Sequence, residues 1–125
     1  MIKLILIIGT GGFLGSVSRF LATRFIQNQI SSPFPLGTFL VNVSGCFLIG
    51  IFYALSEKGN IMNDEWRMFL TVGFCGGFTT FSSFASENLS LIRDSDFLYL
   101  LLYTGGSIFL GFLATYLGNL LIKII

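Results

Sequence analysis

Long apolar runs whose charges are pushed to their ends decide what this chain can fold into. No charged residue occurs from Leu36 to Leu55 or from Phe97 to Ile122, and about 20 such residues in a row carry an α-helix across the hydrocarbon core of a bilayer. Of the 125 residues 54% are hydrophobic and 10% charged, where a soluble domain has roughly a quarter charged. The chain reads as an all-α membrane protein. Spans over about residues 2–26, 36–55, 68–92 and 97–122 use most of it, so residues 1–125 are expected to form a single transmembrane domain with no room for a separate soluble one.

Polar punctuation sets the limits. The first span contains GTGGFLG, read as an interruption, and ends before the Pro-containing stretch Gln27–Pro35. SEKGNIMNDEW, Ser56–Trp66, is the most polar segment and reads as a surface loop with Trp66 at headgroup level. Arg93–Asp96 reads as a short turn. Lys3 before an apolar run imitates a secretory signal, but the apolar character continues past Gly15 with no small-x-small cleavage pattern, so a retained first helix is expected. Cys46 and Cys75 fall in apolar segments without metal-ligand or disulfide spacing and read as small buried hydrophobes. Nucleic acid is not an expected partner, since the net charge is +1 and the scattered Lys and Arg form no basic stripe.

With four spans, both termini share a side. That side carries Lys3, Lys58, Arg67 and Lys123, against Arg24, Arg93 and, if it reaches the interface, Arg19. Because Lys/Arg asymmetry in short loops sets orientation, two outcomes stand open: insertion both ways with antiparallel pairing, or one orientation fixed by a slight bias. Four short helices enclose little, which favours an oligomer. Gly11 and Gly15, Gly73 and Gly77, and Ser107 and Gly111 repeat at a spacing that lets helices approach closely in lipid. Packing alone accounts for Gly11, Gly15, Gly45, Gly50, Gly111 and Gly118, whereas Gly76 and Gly77 stand beside Thr79 and Thr80.

Function is expected at GFCGGFTTFSSF, Gly73–Phe84, where glycines and hydroxyls interrupt a span. Irregular backbone at membrane depth survives only beside protein or a wet cavity, and broken helices of this kind commonly bind ions. Carbonyls of Gly76 and Thr79, freed by the break, suit a hard cation, while the resuming helix offers unpaired N–H groups. Phe81 and Phe84 share a face, and the positive edges of their rings can meet an anion. Asn42 sits in FLVNVSGCFLIG; its amide either bonds to another helix or donates to a dehydrated anion. Arg19 either snorkels to the interface or attracts anions. Glu87, a carboxylate inside a span, is expected to pair with a basic group or with hydrogen-bond donors across an interface rather than relay protons. Tyr103 and Ser107, one turn apart, offer hydroxyls to a path, while Thr104 and Thr115 are expected to bond back to their own helix. Gly9, Gly12 and Gly15 imitate a dinucleotide fingerprint, but residues 30–42 contain no acidic ribose partner and no strand–helix alternation follows. There is no His, and without a nucleophile–base pair an enzyme is not expected.

Three segments together, GGFLGSVSRF (Gly11–Phe20), PLGTFLVNVSG (Pro35–Gly45) and GFCGGFTTFSSF (Gly73–Phe84), resemble the CrcB/Fluc family of fluoride ion channels, in order and over the whole chain. The resemblance implies an antiparallel, dual-topology homodimer of four-helix subunits in the cell inner membrane or plasma membrane, multi-pass in the lipid bilayer. It implies two fluoride pathways and a structural sodium ion at the broken third helices. By motif position it implies fluoride-pathway roles for Asn42, Phe81, Phe84, Thr80, Ser82 and Ser83, and on a looser alignment for Tyr103 and Ser107. Arg19 would stand at the vestibule, and Gly76 and Thr79 would give backbone carbonyls to the sodium. Ser83 replaces the threonine common there. A heterodimer with a paralogue is the alternative assembly.

On this reading fluoride leaks passively out of the cytoplasm and its toxicity falls. A proton-coupled small multidrug transporter is the competing class, but it needs a carboxylate in the first span, and that span has none. A noncatalytic scaffold would need no broken polar helix. Size analysis and crosslinking of the chain expressed alone are expected to show self-association; a strictly monomeric species would remove the homodimer.

Overall fold

Backbone amides inside a bilayer must be paired within the protein, and helices do this along three of the four long apolar runs and on either side of a break in the third. The computed structural model describes residues 1–59 and 61–125; Asn60, part of the polar run expected as a loop, lies outside the described residues. Helix α1 spans Ile2–Gln29, α2 Leu36–Glu57, and α6 Phe97–Ile124. Between them the third span is composite: α3 (Asp64–Met68), a π-helical stretch Phe69–Cys75, α4 (Gly76–Phe78) and, after a break, α5 (Phe81–Arg93). Four segments, Ile2–Gln29, Leu36–Glu57, Asp64–Arg93 and Phe97–Ile124, are long and apolar enough to cross a membrane. The chain is a multi-pass membrane protein, and no strand occurs among the described residues.

Two expectations change. GTGGFLG does not interrupt α1, which runs unbroken through it and beyond into the polar stretch as far as Gln29. Helical glycine costs about 1 kcal/mol relative to alanine, but in lipid no water replaces a lost backbone hydrogen bond, so the helix persists. The polar run after α2 is also shorter than a loop from Ser56 to Trp66: α2 continues to Glu57 and helix resumes at Asp64. The Asn63 side chain accepts from the Trp66 N–H at 2.9 Å, while Asp64 and Glu65 place negative charge at the helix start. Trp66 is exposed, and Lys3 pairs with Glu65 at 2.9 Å, tying the start of α1 to α3. At the far end of α5, Ser95 takes a left-handed φ of 56°, and the Asp96 N–H turns back to the Leu91 carbonyl at 2.9 Å.

Small residues set the interior. In α1 only Gly11 and Gly15 are buried, both against the third span. A Cβ on Gly11 would lie 2.6 Å from the Phe69 carbonyl oxygen, and one on Gly77 would lie 2.5 Å from that of Gly12. The α2–α6 pair, the most extensive contact, uses Gly50 against Thr115 and Asn119, and Gly118 against Phe47 and Ile51. Large apolar side chains such as Phe13, Phe25, Leu101, Phe109 and Phe112 point outward, as a surface solvated by acyl chains requires.

Gly15→Ala is expected to destabilise the fold by about 1–3 kcal/mol, because its Cβ would meet the Phe74 carbonyl and lie 2.9 Å from the Phe78 nitrogen, atoms of backbone that must move. Gly9→Ala, which meets nothing within 4 Å, is expected to be neutral or slightly stabilising. Thermal unfolding of both variants in detergent compares them.

Candidate functional site

The break in the third span lies at Thr79 and Thr80, whose backbones are extended (φ −90°, ψ 156° and φ −150°, ψ 122°). Upstream, helical bonding runs to the last possible residue: the Thr79 N–H and hydroxyl both donate to the Cys75 carbonyl, at 3.0 and 2.9 Å. Downstream, the Thr80 hydroxyl accepts from the Ser83 N–H at 3.2 Å and so caps α5.

What replaces the missing helical bonds comes from other spans. In an unbroken helix the Thr80 N–H would donate to the Gly76 carbonyl; instead it donates to Asn42 Oδ1 at 2.8 Å. Asn42 Nδ2 donates to the Thr80 carbonyl oxygen at 3.1 Å. One amide thus satisfies both backbone groups of a residue in mid-span, and a second Nδ2 hydrogen is left over. Arg19 Nε donates to the Gly77 carbonyl at 3.0 Å. A guanidinium at the C-terminal end of the first half-helix meets carbonyls that the break deprives of N–H partners, and it complements the negative end of their dipole.

A cavity of about 470 Å³ opens beside the break. It is lined by Asn42, Gly45 and Cys46 of α2, by Cys75, Gly76 and Thr79 before the break, by Thr80, Phe81 and Phe84 after it, and by Ser107 and Gly111 of α6. The Phe81 and Phe84 rings stand 5.7 Å apart at 44°; Phe81 is 79% exposed, whereas Phe84 is half-buried. Ser107 Oγ is buried and has no hydrogen-bond partner, and such an atom in an apolar wall is costly unless something occupies the space beside it.

The candidate residues therefore separate. Asn42, Gly76, Thr79, Thr80, Phe81, Phe84 and Ser107 meet at the cavity. Ser82 Oγ lies 3.4 Å from Thr80 Oγ1 on an exposed face, and Ser83 is engaged through its N–H with the cap; neither lines the cavity. Arg19 acts at the break through Gly77. Tyr103 is fully buried outside the cavity, with its ring 4.9 Å from that of Phe84. Its hydroxyl donates to Glu87 Oε1 at 3.2 Å, and Thr38 Oγ1 donates to Oε2 at 3.0 Å. Phe34 stands edge-on to Tyr103 at 5.5 Å. Thr104 does not bond back to its own helix but donates to Asn88 Oδ1 at 3.2 Å; Thr115 donates to the Gly111 carbonyl, as expected, and also to that of Cys46.

Thr38 is the polar member that sequence reading passed over. It precedes Asn42 by one helical turn on α2, so the two share a face, and that spacing was the available signal. A second, more polar pocket of about 380 Å³ reaches Glu87 from the connection between α1 and α2, with Ser90 and Asp94 on its wall.

Comparison with known proteins adds a family. Residues 6–119 match the model described as "CrcB-like protein, Camphor Resistance (CrcB)". The chain is 43% identical to a protein of Flavobacterium psychrophilum named "Fluoride-specific ion channel FluC", over 97% of this chain and 98% of that one. It is 47% identical to a protein of the same name from Bacteroides fragilis, over 95% of each, and 45% identical to one from Chlorobium phaeobacteroides, over 95% of this chain and 92% of that one.

Asn42→Ala is expected to leave the Thr80 N–H without its acceptor, at about 1–3 kcal/mol for an unsatisfied buried group. Amide exchange at Thr80 should accelerate by roughly tenfold or more, read by hydrogen–deuterium exchange; unchanged protection would show that another group holds the break.

Proposed function

The chain belongs to the CrcB family, and from that membership we propose that it is a fluoride-selective channel that lets cytoplasmic fluoride leave the cell passively and so lowers its toxicity. Relatives named as fluoride channels support the ion. The observation that carries the reading is the cavity at the helix break, lined by Asn42 with an unused amide hydrogen, Thr80, Ser107 with an unpartnered Oγ, and the rings of Phe81 and Phe84. A channel needs a path of weak sites rather than a nucleophile, and membership of a family of ion channels makes it a conductor, not an enzyme.

Fluoride is small and strongly hydrated, so a selective path must replace part of its water with donors. The spare Nδ2 hydrogen of Asn42, the hydroxyls of Thr80 and Ser107 and the positive rims of Phe81 and Phe84 are such donors. Several weak sites in sequence favour both entry and exit. Ser82 and Ser83 extend the hydroxyl set along α5, Tyr103 backs the Phe84 ring from outside the cavity, and Arg19 raises the anion's local concentration near the break. Hydrogen fluoride crosses membranes as a neutral acid and ionises inside. Membrane potential then drives the anion out through an open path, with no other energy source.

The functional unit in this reading is an antiparallel homodimer. The near balance of Lys and Arg between the two sides supports insertion both ways. Gly76 and Thr79 fit a sodium site to the extent that the Gly76 carbonyl has lost the Thr80 N–H to Asn42. Two carbonyls are few for a hard cation, and a second copy would double the set. Sodium there would supply positive charge beside the anion path.

Proteoliposomes containing the purified chain are expected to release fluoride and retain chloride; release of neither would point to a transporter or scaffold. Phe81→Ile and Asn42→Asp should each slow fluoride release by roughly tenfold or more, the effect of about 1.4 kcal/mol in barrier height, with the size-exclusion profile unchanged. Normal release in both variants would remove these residues from the path.

A further inference from the structure

The two cysteines were expected to act only as small apolar side chains, yet both line the cavity at the break. We propose that Cys46 and Cys75 form a two-thiol chelating site for a soft metal cation content with two ligands. Both are free thiols, and they come from different spans that face the same cavity.

Their placement follows from the break. Asn42 bonds to Thr80, and Gly45 packs against the methyl of Thr79, so α2 and the third span run antiparallel with these residues level. A rise of 1.5 Å per residue places Cys46 ~1.5 Å and Cys75 ~6 Å to the same side of that level, or ~4.5 Å apart along the axis. Cys46 Sγ would contact a Cβ on Gly111 at 3.5 Å, so its sulfur lies against α6 where that helix borders the cavity. Cys75 is 2% exposed and lines the cavity.

The ligand class follows from what else is there. Among the described residues no group of three or more His, Cys, Asp or Glu could hold a metal, which disfavours the four-ligand tetrahedral sites preferred by zinc. Hard cations prefer oxygen. Thiolates select soft cations, and a divalent ion on two thiolates is neutral overall, which suits a wall of low polarity. Each thiol gives its proton to bulk water as its sulfur–metal bond forms, and no electron is transferred.

Hg(II) is the probe, added to the purified full chain in detergent, and the readout does not depend on fluoride transport, so it stands or falls apart from the channel reading. The ultraviolet sulfur-to-mercury charge-transfer band should saturate at one Hg(II) per chain with release of two protons, whereas methylmercury, which accepts a single thiolate, should load twice. Excess glutathione should strip Hg(II) from Cys46→Ser and from Cys75→Ser but not from the unmodified chain. Saturation at two Hg(II) per chain, or single variants that hold the metal as well as the parent does, would overturn the site.

Discussion

A single carboxamide holds the membrane interior of this protein in its irregular shape. At Thr80 the backbone has left the helix, and in hydrocarbon each orphaned N–H or C=O costs several kcal/mol. Asn42 answers both, accepting from the nitrogen at 2.8 Å and donating to the oxygen at 3.1 Å. The rest is arranged around that pair. The Thr79 hydroxyl doubles the last bond of the upstream segment, Arg19 takes up the Gly77 carbonyl, and the Thr80 hydroxyl starts the next helix. These orphans are met by side chains of the right polarity, so the break is a built feature rather than a frayed end, and the Gly76 carbonyl, which loses the Thr80 N–H to Asn42, is the group left over.

The same residue types serve two opposite purposes in this chain, which explains what could and could not be read from the sequence. Four spans were legible because charge density alone marks them, and their limits moved by only a few residues. The glycines were harder. GTGGFLG and GFCGGFTTFSSF look alike as interruptions, yet the first runs as continuous helix and the second breaks two residues beyond its glycine pair. The difference lies across the interface: Gly11 and Gly15 sit against Phe69, Gly73 and Phe74, so their role is to let backbones touch. No local pattern reveals a partner on another span. The break itself was legible as a region, but its position depended on Asn42, 38 residues away.

Site residues show the same limit. Residue types that read as polar track in the sequence divide in space into two environments. One is the cavity with Asn42, Thr80 and Ser107. The other is the closed triad in which Thr38 and Tyr103 both donate to Glu87. Tyr103 and Ser107 are one turn apart on α6 and still fall in different environments, because the Phe84 ring stands between the tyrosine and the cavity. An aromatic wall of that kind is set by tertiary packing, which helical spacing does not encode.

Phe81 bears on assembly in a way that depends on the solvent. A phenylalanine that is 79% exposed would demand a partner in water, but in a bilayer lipid tails cover it at no cost, so the ring alone argues for nothing. The polar side of the same cavity argues differently. A leftover amide hydrogen on Asn42, the carbonyl of Gly76 and the unpartnered hydroxyl of Ser107 border a space that opens away from the bundle. Acyl chains cannot satisfy them, and water held against lipid would lack bonds of its own. Polar groups that border an otherwise apolar cavity at membrane depth are better closed by protein than by lipid, and that is the physical ground for the antiparallel pairing proposed for this chain.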